Sequence, residues 1–297
     1  MKKFVLKSAL YLAVVLLLAN GVAFLASFAL EKSQFFKPSF LVNAFEPKQK
    51  FKVAVFGSSR SLASLDTKII SDQMEGISAN FSMDYTALPT TKLMVEHFFA
   101  QGFQSEYVVI SIDLPDLDSS KTVISENDYR FFPFRKESYV VAYYKKYDEG
   151  MVKPLASSAH FPFLGIGYYN MELLGPALIS AFKPEYRYQF DELGNFQYPD
   201  ILGMKERPEF RYFQSALANP ILKEIAELTS QNSSNLIIYI APFLRDDIEI
   251  LDSCPYVVIN HARIINEPKY FSDYIHLVNS GKILATEAFI QDLEKLD

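Results

Sequence analysis

The sequence predicts an α/β fold, a mainly parallel sheet with helices on its faces, preceded by one membrane-spanning helix. Three observations predict it. Short, largely apolar runs at 52–56, 79–85, 107–113, 235–241 and 256–260 are separated by stretches of helical spacing. The clearest of these runs, Tyr107–Asp113 and Asn235–Ala241, are apolar almost throughout rather than alternating. That is the pattern of strands covered on both faces, as in a parallel sheet between helices. Finally, Ser8–Leu30 is a run of 23 residues without a charge.

That last run is long enough to span a bilayer core of ~30 Å. Lys2, Lys3 and Lys7 precede it. By the positive-inside rule this leaves the N-terminus in the cytoplasm and sends the remainder across a cytoplasmic (inner) membrane, into the periplasm. A cleaved signal peptide is the alternative, with small residues at Ala23 and Ala26 offering a cleavage site. Its apolar region spans ~7–15 residues, and this one is longer, so an uncleaved single-pass anchor over 1–30 is expected. Residues 31–50 are polar, proline-bearing and unpatterned, and read as a short stalk or a strap onto the domain.

The remaining 51–297 suffices for one domain with an ample core. Net charge is −6, which argues against a nucleic-acid partner. The single cysteine, Cys254, excludes an internal disulfide.

In order, Lys52–Phe56 is the first strand and Gly57 breaks it. Gly57-Ser58-Ser59-Arg60-Ser61 is a turn, and Leu62–Met74 a helix with Leu62, Leu65, Ile69 and Ile70 on its apolar face. Ala79–Tyr85 is a second strand. Thr91–Phe103 is a helix with Thr90 as N-cap. Tyr107–Asp113 is a strand that ends in a carboxylate. Residues 114–211 then break the rhythm with aromatics such as Tyr129, Phe131, Phe132 and Phe134. They read as a cap of loops and short helices, or as a wall whose Tyr and Phe faces stack on sugar rings. Tyr212–Ser230 reads as a helix, Asn235–Ala241 and Tyr256–Asn260 as strands, and Lys269–Leu277 as a loop. A final helix starts at Asn279 or Ser280.

Two places carry chemistry. A serine where a strand hands over to a helix meets outward N–H groups and a dipole that favours negative charge. It can hold an anion, or attack a carbonyl while those N–H groups hold the oxyanion. The second place is Asp273-Tyr274-Ile275-His276. One helical turn there would let the carboxylate fix the imidazole tautomer, leaving the other ring nitrogen to accept a proton from a serine. His97, His160 and His261 read as structural or exposed. No metal-binding pattern, nucleotide loop or Gly-x-Ser-x-Gly elbow occurs, and no cofactor is implied.

Gly57-Ser58-Ser59 at the end of the first strand, with Asp273-x-x-His276 before the last helix, resembles the SGNH (GDSL-like) hydrolase superfamily. The resemblance covers about 51–113 and 235–296 and leaves the insert unexplained. It implies a three-layer α/β/α sandwich with flavodoxin-like strand order, and implies Ser59 as nucleophile, His276 as general base and Asp273 as the acid that orients it. The Gly-Ser-Ser-Arg form looks like the membrane-anchored branch associated with acyl groups on envelope polysaccharides. An extracytoplasmic esterase or O-acyltransferase follows, with a polysaccharide or acylated glycan as substrate and other envelope polysaccharide proteins as possible partners.

The chain departs from the family at the oxyanion donors. Where the family has an Asn after the third strand, this chain has Asp113, an acceptor when ionised. The glycine block is replaced by Thr86–Thr91, which holds Pro89. Candidate donors or substrate contacts are therefore Ser58, Arg60 and Thr90, with Asp113 beside them. Arg60 can instead pair with Asp66 or Asp113. The missing Asn leaves open a second class of function, a catalytically inactive binding or scaffold subunit of a polysaccharide machine. A third is a phosphate-holding Gly57–Ser61 turn, which gives Asp273 and His276 no role.

Overall fold

The computed structural model describes residues 1–119, 123–149, 151–196, 203–205 and 209–296. Its helices are α1 (Lys2–Glu31), α2 (Lys37–Ala44), α3 (Ser59–Ser64), α4 (Thr67–Gln73), α5 (Leu88–Ala100), α6 (Ser138–Tyr147), α7 (Pro154–Ser157), α8 (Pro162–Phe182), α9 (Pro220–Gln231) and α10 (Asn279–Leu293). Its strands are β1 (Lys50–Phe56), β2 (Ala79–Asn80), β3 (Gln104–Ser111), β4 (Arg211–Ser215), β5 (Asn235–Ile240), β6 (Asp246–Ile250) and β7 (Val257–Asn260). These elements divide between two compact units. A helical unit joins Met1–Ala44 to Asp128–Tyr188, and a sheet unit joins Phe45–Asn127 to Gln189–Asp297.

This division differs from the expected anchor, stalk and single domain. The 31–50 stretch is not a solvated stalk. Phe35, Phe36, Phe40 and Leu41 are buried, and Phe35 stacks on Tyr188 with ring centroids 5.5 Å apart. The aromatics of the insert thus close a core with the chain that follows α1. Within this unit α1 also packs on α8, which breaks at the non-helical Asn170 into two shorter helical stretches, in keeping with the short helices the sequence suggested. The Asp128 carboxylate accepts from Tyr143 Oη at 2.7 Å, and its carbonyl accepts from Tyr144 Oη at 2.9 Å. Buried Arg135 donates to the Ser27 hydroxyl and to the Ser158 carbonyl. Helix α1 is long and apolar enough, by length and composition, to cross a membrane.

The sheet unit has a five-stranded parallel sheet of order β2-β1-β3-β5-β7. Val53 lies beside Tyr107, Val109 beside Ile237, and Ile237 beside Val257. On one face Val53, Val55, Val109, Ile237 and Tyr239 pack with Ile70 of α4 and Phe289 and Leu293 of α10. On the other, Phe56 packs edge-on against Phe98 of α5 at 5.5 Å, and α9 lies against α5. The order reverses between β1 and β3, and in open α/β sheets ligands bind beyond the strand C-termini at such a switch point.

Four local expectations change. The Leu62–Met74 helix is two, because Asp66 caps α4 by accepting from the N–H of Lys68 and Ile69 at 3.0 and 3.4 Å. Strand β2 is two residues long: the Asn80 side chain accepts from the N–H of Ser82 at 3.0 Å, turning the chain off the sheet edge. Helix α5 starts earlier than Thr91, since Asp116 holds the Leu88 N–H at 3.0 Å and Pro89 suits a first turn. Tyr212–Ser230 is not one helix. Residues 211–215 pair in parallel with the unforeseen β6, and Asn219 caps α9 just before Pro220.

Gly57, which ends β1, lies in close quarters. A Cβ there would stand 2.9 Å from both the Cβ and the carbonyl oxygen of Ser111, and its φ is +156°. Overpacking of a fixed core typically costs about 1–3 kcal/mol. Gly57→Ala is therefore expected to lower unfolding stability by about that amount, read from the urea midpoint at unchanged slope. An unchanged midpoint would show that β1 and β3 can separate freely here.

Candidate active site

Ser58 leaves β1 in an extended conformation and caps α3, its Oγ accepting from the Arg60 N–H at 3.3 Å. Capping fixes the direction of the next side chain, Ser59, which is half-buried. Its Oγ lies 2.8 Å from Nε2 of His276. The two residues are 217 positions apart in the chain.

His276 comes from a tight loop rather than a helical turn. Phe271 and Leu277 form an antiparallel bridge across its base, and the Ser272 N–H donates to the His276 carbonyl at 2.9 Å. Inside it, Asp273 Oδ1 accepts from the N–H of Ile275 and of His276, both at 2.8 Å. This side-chain-to-backbone turn is a strong local habit of Asp. It leaves Oδ2 2.7 Å from His276 Nδ1. Burial pushes the Asp273 carboxyl up, but the His276 ring and the two N–H groups outweigh it and hold it below the usual carboxylate range. Asp273 therefore contributes its stabilisation above the ordinary Asp range, and loses it as pH falls through the lowered folded value.

Arg60 points inward. Its residue is 2% exposed, with its guanidinium centre 3.4 Å above the Phe243 ring. Nη1 donates to Asp113 Oδ1 at 3.2 Å, Nη2 to the carbonyls of Ala241 and Pro242 at 2.5 and 3.2 Å, and Nε to that of Ile275 at 3.4 Å. One side chain thus ties α3 to the ends of β3 and β5 and to the His276 loop. Of its two possible partners it takes Asp113. Burial lowers its pKa, and Asp113 opposes that shift. The Ser58 hydroxyl donates to the other oxygen of Asp113 at 2.5 Å.

Thr90 stands apart. It is fully buried inside α5 rather than capping it, and its Oγ1 donates to Ser125 Oγ at 3.4 Å. Thr86, three residues past Met83 and bonded to its carbonyl, lines the cleft instead.

A cavity of about 550 Å³ opens over Ser59. Its wall includes Leu114, Pro115, Phe213 and Phe243, with Tyr85 at an exposed, left-handed position (φ 53°). Arg211 reaches it from β4, held by Asp246 through Nε at 2.6 Å and Nη2 at 2.8 Å. Sequence reasoning missed Tyr85, Arg211, Phe213 and Asp246. For Arg211 and Phe213 the available signal was the adjacent strand-favouring aromatics Tyr212 and Phe213; no local pattern marked Tyr85 or Asp246.

His97 and His261 are buried and His160 is exposed. His261 Nε2 lies 3.0 Å from Asp292 Oδ2, in a second His–Asp pair. Among the described residues no three His, Cys, Asp or Glu side chains gather to hold a metal ion.

Chemically, the Ser59–His276–Asp273 chain can move a proton. Nε2 is directed at a hydroxyl and Nδ1 at a carboxylate. Neither comparison with protein-family models nor comparison with curated proteins returns a match for this chain.

Proposed function

We propose that the sheet unit is an SGNH-type serine acyl-transfer enzyme that acts on O-acyl groups of an envelope or exported polysaccharide. The observation that carries the reading is the continuous Ser59 Oγ–His276–Asp273 chain, at 2.8 and 2.7 Å. It is supported by the position of the serine at the switch point of the parallel sheet. The glycan and the envelope come from the resemblance of Gly57-Ser58-Ser59-Arg60 and from the apolar α1, which suits an anchor in the cytoplasmic membrane with the sheet unit outside.

In this mechanism Ser59 Oγ attacks the ester carbonyl carbon as His276 Nε2 takes its proton. Asp273 keeps the Nδ1 proton in place and stabilises the imidazolium. The tetrahedral intermediate collapses to an acyl-Ser59 ester, and the departing alkoxide takes the proton from Nε2. Water or a sugar hydroxyl then repeats the steps in reverse, the first giving an esterase and the second an O-acyltransferase.

A second reading has its own observation. Asp113 occupies the place of the family's amide donor, and both of its oxygens are engaged, by Ser58 and Arg60. An acceptor there opposes an oxyanion, and loss of one such donor costs ~10²–10³ in rate. It equally opposes a bound phosphate. This favours an inactive, glycan-binding scaffold over a phosphate site.

A fluorophosphonate probe separates the readings. Labelling of the full chain, abolished in Ser59→Ala and in His276→Ala, is the expected result. Well-folded protein that takes no label leaves the scaffold.

A further inference from the structure

We infer that α8 lies in the lipid interface beside α1, so that the helical unit holds the membrane through two helices; this rests on reading α1 as a membrane anchor. The two helices pack on each other. Small residues outnumber large ones among those buried on them: Ala23, Ala26 and Ser27 beside Leu30 on α1, and Gly165, Ala177 and Ser180 beside Ile166 and Leu173 on α8. Small side chains let helix backbones approach closely in lipid, where no hydrophobic force drives them together.

Both helices end at one level. The Gln34 N–H donates to the Pro184 carbonyl at 2.7 Å, and Arg187 Nη1 donates to the Gln34 side-chain oxygen at 2.6 Å. Charges begin there on both segments, with Glu31 ending α1 and Lys32 following it, and Lys183, Glu185 and Arg187 after α8. Before that level α1 exposes Phe24, Leu25 and Phe28, and α8 exposes Leu178, Ile179 and Phe182. Residues 173–182 carry no charge. A helix with water on that side would place polar residues there.

The surface beside a lipid-facing α1, running to the same boundary, lies in the same slab. The insertion is shallow. Met171–Phe182 rises about 18 Å, well short of the ~30 Å core. At its far end the backbone of Asn170 is non-helical (φ 36°, ψ −104°) and Glu172 is exposed. A helix tilted toward the plane of the interface holds Phe182 at the headgroup boundary, lays Leu178 and Ile179 against the outer acyl chains, and keeps Glu172 within reach of the headgroups.

The chain has no tryptophan, so one introduced indole reports alone. Leu178→Trp, Phe182→Trp and, as the α1 reference, Phe24→Trp are each reconstituted as full chains in phosphatidylcholine–phosphatidylglycerol vesicles, with and without brominated acyl chains. The expected result is blue-shifted emission at 178 and 182, quenched by bromine at least half as strongly as at 24. Water-like, unquenched emission at 178 and 182 with quenching at 24 overturns the proposal and leaves the anchor standing. Blue-shifted but unquenched emission there means that protein, such as a second copy, covers the face, and overturns it too. Absence of quenching at 24 overturns the anchor reading itself. Phe182→Trp carries the test should Leu178→Trp fail to fold.

Discussion

Under the proposed acyl-transfer function, Ser59→Ala and His276→Ala are each expected to lower turnover of a small acetyl ester by a factor on the order of 10⁶, with the double variant no worse than either single one. Groups that act as one unit lose nearly everything when one member goes, so their effects do not add. Here the unit is defined by geometry: one hydroxyl, one ring nitrogen at 2.8 Å and one carboxylate oxygen at 2.7 Å from the other nitrogen. Asp273→Asn adds a sharper form of the test. Oδ1 of Asp273 is committed to the N–H of Ile275 and His276. An amide there would keep its oxygen on those N–H groups and turn its NH₂ toward Nδ1. That forces the imidazole proton onto Nε2, which then donates to Ser59 rather than accepting from it. A loss of about 10⁴ with an intact fold is expected, the size associated with a wrong tautomer. Steady-state hydrolysis of the acetyl ester measures all four variants. Additive losses in the double variant, or near-normal activity in Asp273→Asn, would remove the proton-relay account.

Arg60→Met is expected to destabilise the sheet unit by about 3–5 kcal/mol, the usual cost of removing one partner of a buried ion pair. The arginine is buried, and its loss leaves the Asp113 carboxylate without its cation and the Ala241, Pro242 and Ile275 carbonyls without these donors. Methionine fills much of the volume over Phe243, so the loss reports polar groups more than a cavity. Arg60→Lys keeps the charge but not the planar fork and is expected to recover only part of the stability. Chemical denaturation of the full chain, followed by a probe in the sheet unit, measures both. A loss below ~1 kcal/mol would show that the carbonyls find other donors and that Arg60 is not what joins the strand ends.

The reach of sequence reasoning can be seen element by element. Strands β1, β3 and β5 were legible because each is a largely buried apolar run, and burial on both faces leaves a sequence little freedom; β7, at the sheet edge with only Ile259 buried, was legible from the β-branched run Val257–Ile259 alone. Helix α1 was legible because few folds in water need an uncharged run of that length. The short edge strand β2, the β4–β6 pair and the break between α3 and α4 were not. Each depends on a side chain such as Asn80, Asp246 or Asp66 finding a particular partner. Ser59, His276 and Asp273 could be named because Gly57-Ser58-Ser59 and Asp273-x-x-His276 resemble the SGNH motifs in position, order and spacing. Thr90 was misplaced because a threonine near a helix start reads as a cap, whereas Pro89 and Asp116 set that start one turn earlier.

By itself, then, the sequence determined a parallel α/β sheet, an apolar N-terminal helix, and a serine turn and an Asp-x-x-His loop at opposite ends of that sheet's chain. Only the tertiary structure decided that Ser59 and His276 meet, that Arg60 is committed to Asp113 and three carbonyls, and that the aromatic middle builds a unit with the N-terminal helix. Periodicity and local propensity are properties of neighbours along the chain. A hydrogen bond across 217 residues, or a core shared by residues 1–44 and 128–188, exists only once folding has brought distant segments into contact.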